Sequence, residues 1–431
     1  MKQLSLKISA FALTAMLASC GASGPEGQLV GSPNMMAYRA PEPIGMVYVP
    51  SGVLKMGASD EDVRGKNDAL IRTVQMTGFY MDAMEISNDQ YRSFTNYVKD
   101  STAHTILGDF IDLPDGTQKL DLRKRINYRD ADVQDQLASM YIPAELSGWG
   151  RKELDQSKLI YHYEVFDYDE AVKNPTQART AFVKKYDVPA YPDTTVWMRQ
   201  FIHSYNEPIA QQYNWFTAFD KYPVVGVNYN QAVAFCNWRT MMWRSSRDKY
   251  RQYFEGEFRL PNEIQWEWAA RGGRTESPYP WGGPYCRNSK GCMLANFKPM
   301  RGNYGVDGGM YPVRADSYFP NDYGLYNMAG NVAEWTINAW SEQSHVFTHD
   351  LNPDFRINID EYANDGKGNR TGKEMSPMTM KRKVIKGGSW KDVAYFIQNG
   401  SRTYEYQDTS KSYVGFRCVQ SYIGRSVKDR K

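Results

Sequence analysis

Apolar residues fall at helical spacing in three places along the chain. Ser87-Asn88-Asp89-Gln90 has the Ser-x-x-Gln form of a capping box, Ile86 and Tyr91 stand in staple positions around it, and Phe94 and Val98 continue the apolar stripe. This pattern predicts a helix. Asn228-Tyr229-Asn230-Gln231 offers a similar start to a second helix, whose stripe runs through Ala232, Phe235, Cys236, Met242 and Trp243. A third is predicted with Pro261 at its first position, Glu263 in its first turn, Arg271 in its last and Gly272-Gly273 just beyond. Met46-Val47-Tyr48-Val49 followed by Pro50-Ser51-Gly52 reads as a strand and a turn. After about residue 274 the apolar pieces are short and separated by Gly, Pro, Asn and Asp, which predicts turns and short strands.

Residues from about 99 to 220 follow neither period cleanly. They mix Lys, Arg and Asp with many tyrosines, and are too aromatic for a disordered linker. Tyr161-His162-Tyr163-Glu164-Val165-Phe166 and Thr194-Thr195-Val196-Trp197 are candidate strands. Tyrosine suits positions where one end of the ring is dry and the other wet, so the segment reads either as a protein-protein surface or as a subsidiary core. With 431 residues, 42% of them apolar, the chain has room for one large domain or two ordinary ones. Its formal net charge is +3 and its basic residues are dispersed, so no stripe for nucleic acid exists.

The N-terminus changes the expected location. Lys2 and Lys7 precede the apolar residues 8–18, and the run ends at Leu17-Ala18-Ser19-Cys20. That run covers about half of the roughly 20 residues needed to cross a bilayer, so it reads as a lipoprotein signal over residues 1–19, with Cys20 as the lipidated residue. Residues 20–44, rich in Gly, Pro and small polar residues, read as a tether, and a folded domain is expected over 45–424. Export places Cys236, Cys286, Cys292 and Cys418 where disulfides persist. Cys286 and Cys292 enclose a short polar turn that closes readily. Zinc is the rival use of four cysteines, but there is no Cys-x-x-Cys and the five histidines are scattered.

Five segments in order carry a family resemblance: Met84-Glu85-Ile86-Ser87-Asn88-Asp89-Gln90-Tyr91; Pro223-Val224-Val225-Gly226-Val227 with Phe235-Cys236-Asn237-Trp238; Arg259-Leu260-Pro261-Asn262-Glu263-Ile264-Gln265-Trp266-Glu267-Trp268; Tyr323-Gly324-Leu325-Tyr326-Asn327-Met328-Ala329-Gly330-Asn331-Val332-Ala333-Glu334-Trp335; and Lys386-Gly387-Gly388-Ser389-Trp390 with Gly415-Phe416-Arg417-Cys418. Together they resemble the formylglycine-generating, sulfatase-modifying family. The resemblance implies an α+β fold related to C-type lectin-like domains, low in regular secondary structure, with residues 99–220 as a large insertion. It also implies a Cys236–Cys418 disulfide, with Cys286 and Cys292 forming a second pair that the family does not supply. Two calcium sites follow from the same matches: Asn296, the carbonyl of Phe297, Asp307 and the carbonyl of Gly309; and Asn327, the backbone of Gly330 and Val332, and Glu334. The family's oxidases bind copper through two cysteines five residues apart after the Gly-Gly-Ser turn, and here those places hold Asp392 and Ile397. Neither side chain reproduces a soft thiolate site, so no copper and no catalytic residue are expected. Ala333 also replaces the family's usual Trp before Glu334. Trp266, Trp268, Trp281, Trp335 and Trp390, inside these motifs, are expected in the core.

A narrower resemblance lies in residues 191–227. Tyr191-Pro192-Asp193-Thr194-Thr195-Val196-Trp197, Ser204-Tyr205-Asn206-Glu207-Pro208 and Asp220-Lys221-Tyr222-Pro223 are similar to the gliding-motility and type IX secretion lipoproteins of Bacteroidetes, and Glu26-Gly27-Gln28-Leu29-Val30-Gly31 is similar to their K-type group. That implies a non-catalytic structural lipoprotein on the periplasmic face of the outer membrane, self-associating into a ring with an N-type secretion partner and other components of the machinery. The alternatives are an oxidase of the formylglycine-generating type and a calcium-dependent glycan-binding lipoprotein.

Overall fold

The computed structural model describes residues 42–58, 68–114, 116, 118–147, 150–203, 207–247, 256–299, 301, 303–348, 354–357, 363–364 and 378–423. Cys20, the signal segment and most of the tether lie outside these residues.

The chain opens with strand Met46–Val49 (β1), the hairpin Gly52–Met56 (β2) and Arg72–Met76 (β3), strand Phe79–Asp82 (β4) and helix Asn88–Leu107 (α1). The next segment contributes strands Ile160–Phe166 (β5) and Val183–Pro189 (β6) and helices Val196–Gln200 (α2) and Pro208–Gln212 (α3). Helix Tyr229–Arg247 (α4), strand Phe258–Arg259 (β7) and helix Glu263–Arg271 (α5) follow. The C-terminal half supplies strands Ala333–Ala339 (β8), Ala363–Asn364 (β9), Arg382–Lys386 (β10), Thr403–Tyr406 (β11), Val414–Gly415 (β12) and Val419–Ser421 (β13). One four-stranded sheet runs β1-β4-β13-β7, so the first and last strands of the domain share a sheet; a second runs β11-β10-β8-β12. In the 99–220 segment β5 and β6 pair antiparallel, with β9 on the far edge of β6.

Each long helix is set by its ends. The capping box at Ser87 and Gln90 opens α1, and Gly108 closes it in the left-handed conformation at φ 71°. Asn228 and Gln231 exchange backbone-to-side-chain hydrogen bonds of 2.9 Å at the start of α4. The third helix begins at Glu263, two residues later than Pro261 suggests, because the Asn262 side chain accepts from Gln265 N at 2.6 Å and so acts as the cap itself. Thr194 to Trp197 is also not a strand. Asp193 Oδ1 accepts from both the backbone N–H (2.9 Å) and the hydroxyl (2.6 Å) of Thr195, and this local turn feeds the chain into α2 despite its β-branched residues.

The largest core cluster sits between α1, α4 and the C-terminal strands. Tyr91 stacks on Phe235 with ring centroids 5.7 Å apart, and Phe235 meets Phe416 edge-on at 5.3 Å. The 99–220 segment joins this core through Tyr161, whose ring meets Phe94 at 5.2 Å. Trp197 and Tyr213 are buried with Val225, Val332 and Trp390, whereas Tyr168, Trp215 and Phe216 stay exposed. Some of the segment's rings therefore fill a core while others stand exposed. Trp266, Trp268, Trp335 and Trp390 are core residues, while Trp281 is only partly buried. Among the described residues no helix is long and apolar enough to cross a membrane.

Candidate functional site

The two turns that carry the family motifs are tied to each other. β10 ends at Lys386 and the chain reverses through Gly387 (φ 89°) and Gly388 (φ 63°). A Cβ on Gly388 would lie 2.7 Å from Phe396 O, so no other residue fits without a shift of the backbone. Gly330 N donates to Gly387 O (2.9 Å) and Trp390 N to Asn331 O (2.8 Å), which holds the Gly-Gly-Ser turn against the Asn327–Asn331 turn. Asn327 and Asn331 both take left-handed backbone angles, φ 51° and 60°.

The two positions where the resemblance would put the family's thiols, Asp392 and Ile397, hold unlike groups. Ser389 Oγ donates to Asp392 Oδ2 at 2.5 Å, and burial raises the Asp392 carboxyl above its ordinary range while Ser389 and Lys391 pull it back. Ile397 is fully buried in an apolar cluster with Tyr279, Ala295, Phe297 and Ala329, and Cys286 packs on that cluster from one side. Ser389 serves the aspartate, and no histidine takes part.

A buried polar network lies behind these turns. Glu85 accepts 3.0 Å hydrogen bonds from Asn327 on one oxygen and Asn331 on the other. Desolvation lifts its carboxyl to about 8 against the pull of Arg417, and the neighbouring Glu334 adds to the rise. Glu334 accepts from Arg417 Nη2 (2.6 Å), Arg417 Nε (2.7 Å) and Trp266 Nε1 (2.7 Å). The motifs quoted above contain Glu85, Asn331 and Arg417, but periodicity gave none of them a role. Their signal was a charged or amide residue flanked by apolar ones, as in Met84-Glu85-Ile86 and Phe416-Arg417-Cys418.

The two expected calcium sets differ. In the set Asn327, Gly330, Val332 and Glu334 the carboxylate already serves other groups, Glu334 Oε1 accepting from Arg417 and Oε2 from Arg417 and Trp266, while Asn327 Oδ1 is buried without a hydrogen-bond partner. In the other set Asn296 Oδ1 is likewise buried without a hydrogen-bond partner, and Asp307 accepts from Phe297 N (2.7 Å) and Gly309 N (3.2 Å). Among the described residues no group of three or more His, Cys, Asp and Glu collects, so such a site would rest on a single carboxylate.

Among the described residues, Cys236, Cys286, Cys292 and Cys418 are not joined by disulfides. Cys236 and Cys418 are buried face to face, their sulfurs 3.4 Å apart. The expected Cys286–Cys292 bond is absent for a reason of register. Arg287 pairs with Met293, Leu294 N donates to Cys286 O (3.0 Å) and Asn288 N to Cys292 O (2.9 Å), so the two cysteines are diagonal and not opposite. Diagonal neighbours stand roughly 7–8 Å apart, whereas a disulfide needs Cβ atoms about 3.5–4.5 Å apart.

Comparison with known proteins bears on what this site descends from. Residues 33–422 match the family model of the sulfatase-modifying factor enzyme 1-like domain. The formylglycine-generating enzyme of Mus musculus is 27% identical over 384 residues, covering 88% of this chain and 75% of the relative. That of Thermomonospora curvata is 28% identical over 395 residues, covering 88% and 95%. The "inactive C-alpha-formylglycine-generating enzyme 2" of Mus musculus is 31% identical over 216 residues, 48% of this chain and 51% of the relative. PvdO from Pseudomonas aeruginosa superposes with a TM-score of 0.46 at 15% identity, covering 88% of this chain and 94% of that one. These relatives overturn the expected role as a structural ring component of type IX secretion. Over most of the chain's length the similarity is to proteins named as formylglycine-generating enzymes, and the short motifs at 191–227 do not outweigh it. The chain belongs to the sulfatase-modifying factor enzyme 1-like family, with that family's mixture of helices and sheets.

Proposed function

We propose that this chain is a non-oxidative member of its family, a binding protein built on the fold of an oxidase. One observation supports this reading: where the sequence resemblance expects the cysteine pair, the chain has Asp392, hydrogen-bonded to Ser389, and fully buried Ile397. A soft metal centre needs thiolate ligands, and a carboxyl held toward its protonated form beside an isoleucine supplies none. A relative whose name marks it as inactive gives the reading precedent within the family. The test is turnover of a cysteine-containing peptide by the copper-loaded protein, followed by mass spectrometry. No formylglycine above background is expected; conversion that depends on the protein would end this reading.

A second reading, an oxidase of the formylglycine-generating type, is favoured by the relatives and by the packing of Cys286 on the Ile397 cluster. It differs in one outcome of the same assay: conversion would be present in the wild type and lost in Cys286→Ser.

A further inference from the structure

A cavity of about 240 Å³ opens beside the first turn of α1, and neither Asp392 nor Ile397 lines it. It is smaller than the roughly 300–1,000 Å³ that drug-sized ligands occupy, so an occupant must be small. Charge decides its class. The wall carries Lys221 and Arg314 together with Asp82, Glu85 and Asp316, which suits neither a simple anion nor a simple cation.

The inner acids are already held. Asp82 accepts from Arg239 (2.7 Å) and from Cys418 N (2.8 Å), and Glu85 from its two asparagines. The outer charges are in a different position. Lys221 Nζ lies 2.8 Å from Asp89, and Arg314 grips Asp316 through two bonds of 3.0 and 2.9 Å. The Lys221, Arg314 and Asp316 side chains are 65%, 56% and 45% exposed. Ion pairs in water contribute little, so these groups can change partners without disturbing the fold. A ligand carrying a carboxylate next to an ammonium can enter the Arg314–Asp316 pair and satisfy both halves. The planar guanidinium matches a carboxylate bidentately, and Lys221 adds a second positive charge on the same side. Met84, 38% exposed at the wall, leaves an apolar surface for the rest of the ligand.

We propose that this cavity binds a small zwitterion of the α-amino acid class, its carboxylate taken by Arg314 and Lys221 and its ammonium by Asp316. The inference is independent of the proposed function, since it concerns other residues. Calorimetric titration of the full chain with each of the proteinogenic α-amino acids, with sodium acetate and with methylammonium chloride, at one ionic strength, tests it. At least one amino acid is expected to saturate, binding about tenfold or more tighter than either half-ligand. Arg314→Met and Asp316→Asn are each expected to weaken that binding by about tenfold or more. Both positions are at the surface, and an unchanged melting temperature verifies that the variants fold. Acetate binding as tightly as the amino acid would show a plain anion site, and methylammonium doing so a plain cation site; either overturns the proposal. So does the absence of saturation by every amino acid, or an Arg314→Met protein that binds as the wild type does.

Discussion

Arg417 is fully buried, and its guanidinium does three things at once. It holds both oxygens of Glu334, donates to the carbonyl oxygens of Asp82 (3.1 Å) and Tyr326 (2.9 Å), and opposes the desolvation of Glu85. A buried ion pair of this kind is weak evidence of net stabilisation, because taking both charges out of water is costly. Removing one partner is another matter. Arg417→Met leaves Glu334 charged, dry and without its counter-ion, so a loss of about 3–5 kcal/mol in urea unfolding is expected. Adding Glu334→Gln to that variant removes the stranded charge and should recover part of the loss. A single Arg417→Met that unfolds at the wild-type midpoint would show that the Arg417–Glu334 pair does not hold the fold.

At the scale of elements, caps explain more than propensities. The Asn262 side chain satisfies Gln265 N, and Gln265 Oε1 answers by accepting from Asn262 N at 3.2 Å. Asn262→Ala should therefore cost about 1 kcal/mol, read as a shift of the urea midpoint at constant slope. A change within about 0.2 kcal/mol would mean that packing of Trp266 and Trp268 fixes this end without the cap. The same chemistry made α1 and α4 readable in the sequence, since Ser87 with Gln90 and Asn228 with Gln231 stand next to regular apolar stripes. Strand β5 was legible too, from its tyrosines and valine. What could not be read was set by distant partners or by local side-chain turns. Asp193 turns the chain at Thr195 into the helix that begins at Val196, and the register at Arg287 and Met293 keeps Cys286 and Cys292 apart. At the candidate site Asp392 and Ile397 were visible in the sequence as residues that follow the Gly-Gly-Ser turn. The commitment of Glu334 to Arg417 was not, because the two lie 83 positions apart.

On the scale of the whole molecule, the buried network joins parts of the chain that no local pattern connects. Glu85 stands 242 positions from Asn327, and Arg417 reaches back 335 positions to Asp82. A change in its ionisation therefore acts on global unfolding and not on one loop. Folded, Glu85 holds its proton up to about pH 8; unfolded, the same carboxyl loses it near 4.5. The folded state thus binds a proton that the unfolded state has released, and this contribution to stability is fully present below about pH 4.5 and lost as pH rises toward 8. Each pH unit inside that window changes the balance by at most about 1.4 kcal/mol. Urea unfolding of chelator-treated protein at successive pH values from 5 to 8 should show stability declining as pH rises, and Glu85→Gln should flatten the decline. The difference between the two proteins isolates Glu85 from carboxyls such as Asp89, whose hydrogen bonds to Lys221 and Ser87 hold it below its ordinary value against the cost of burial. Parallel curves for wild type and variant would mean that Glu85 is ionised in the folded protein, with Arg417 compensating its burial in full.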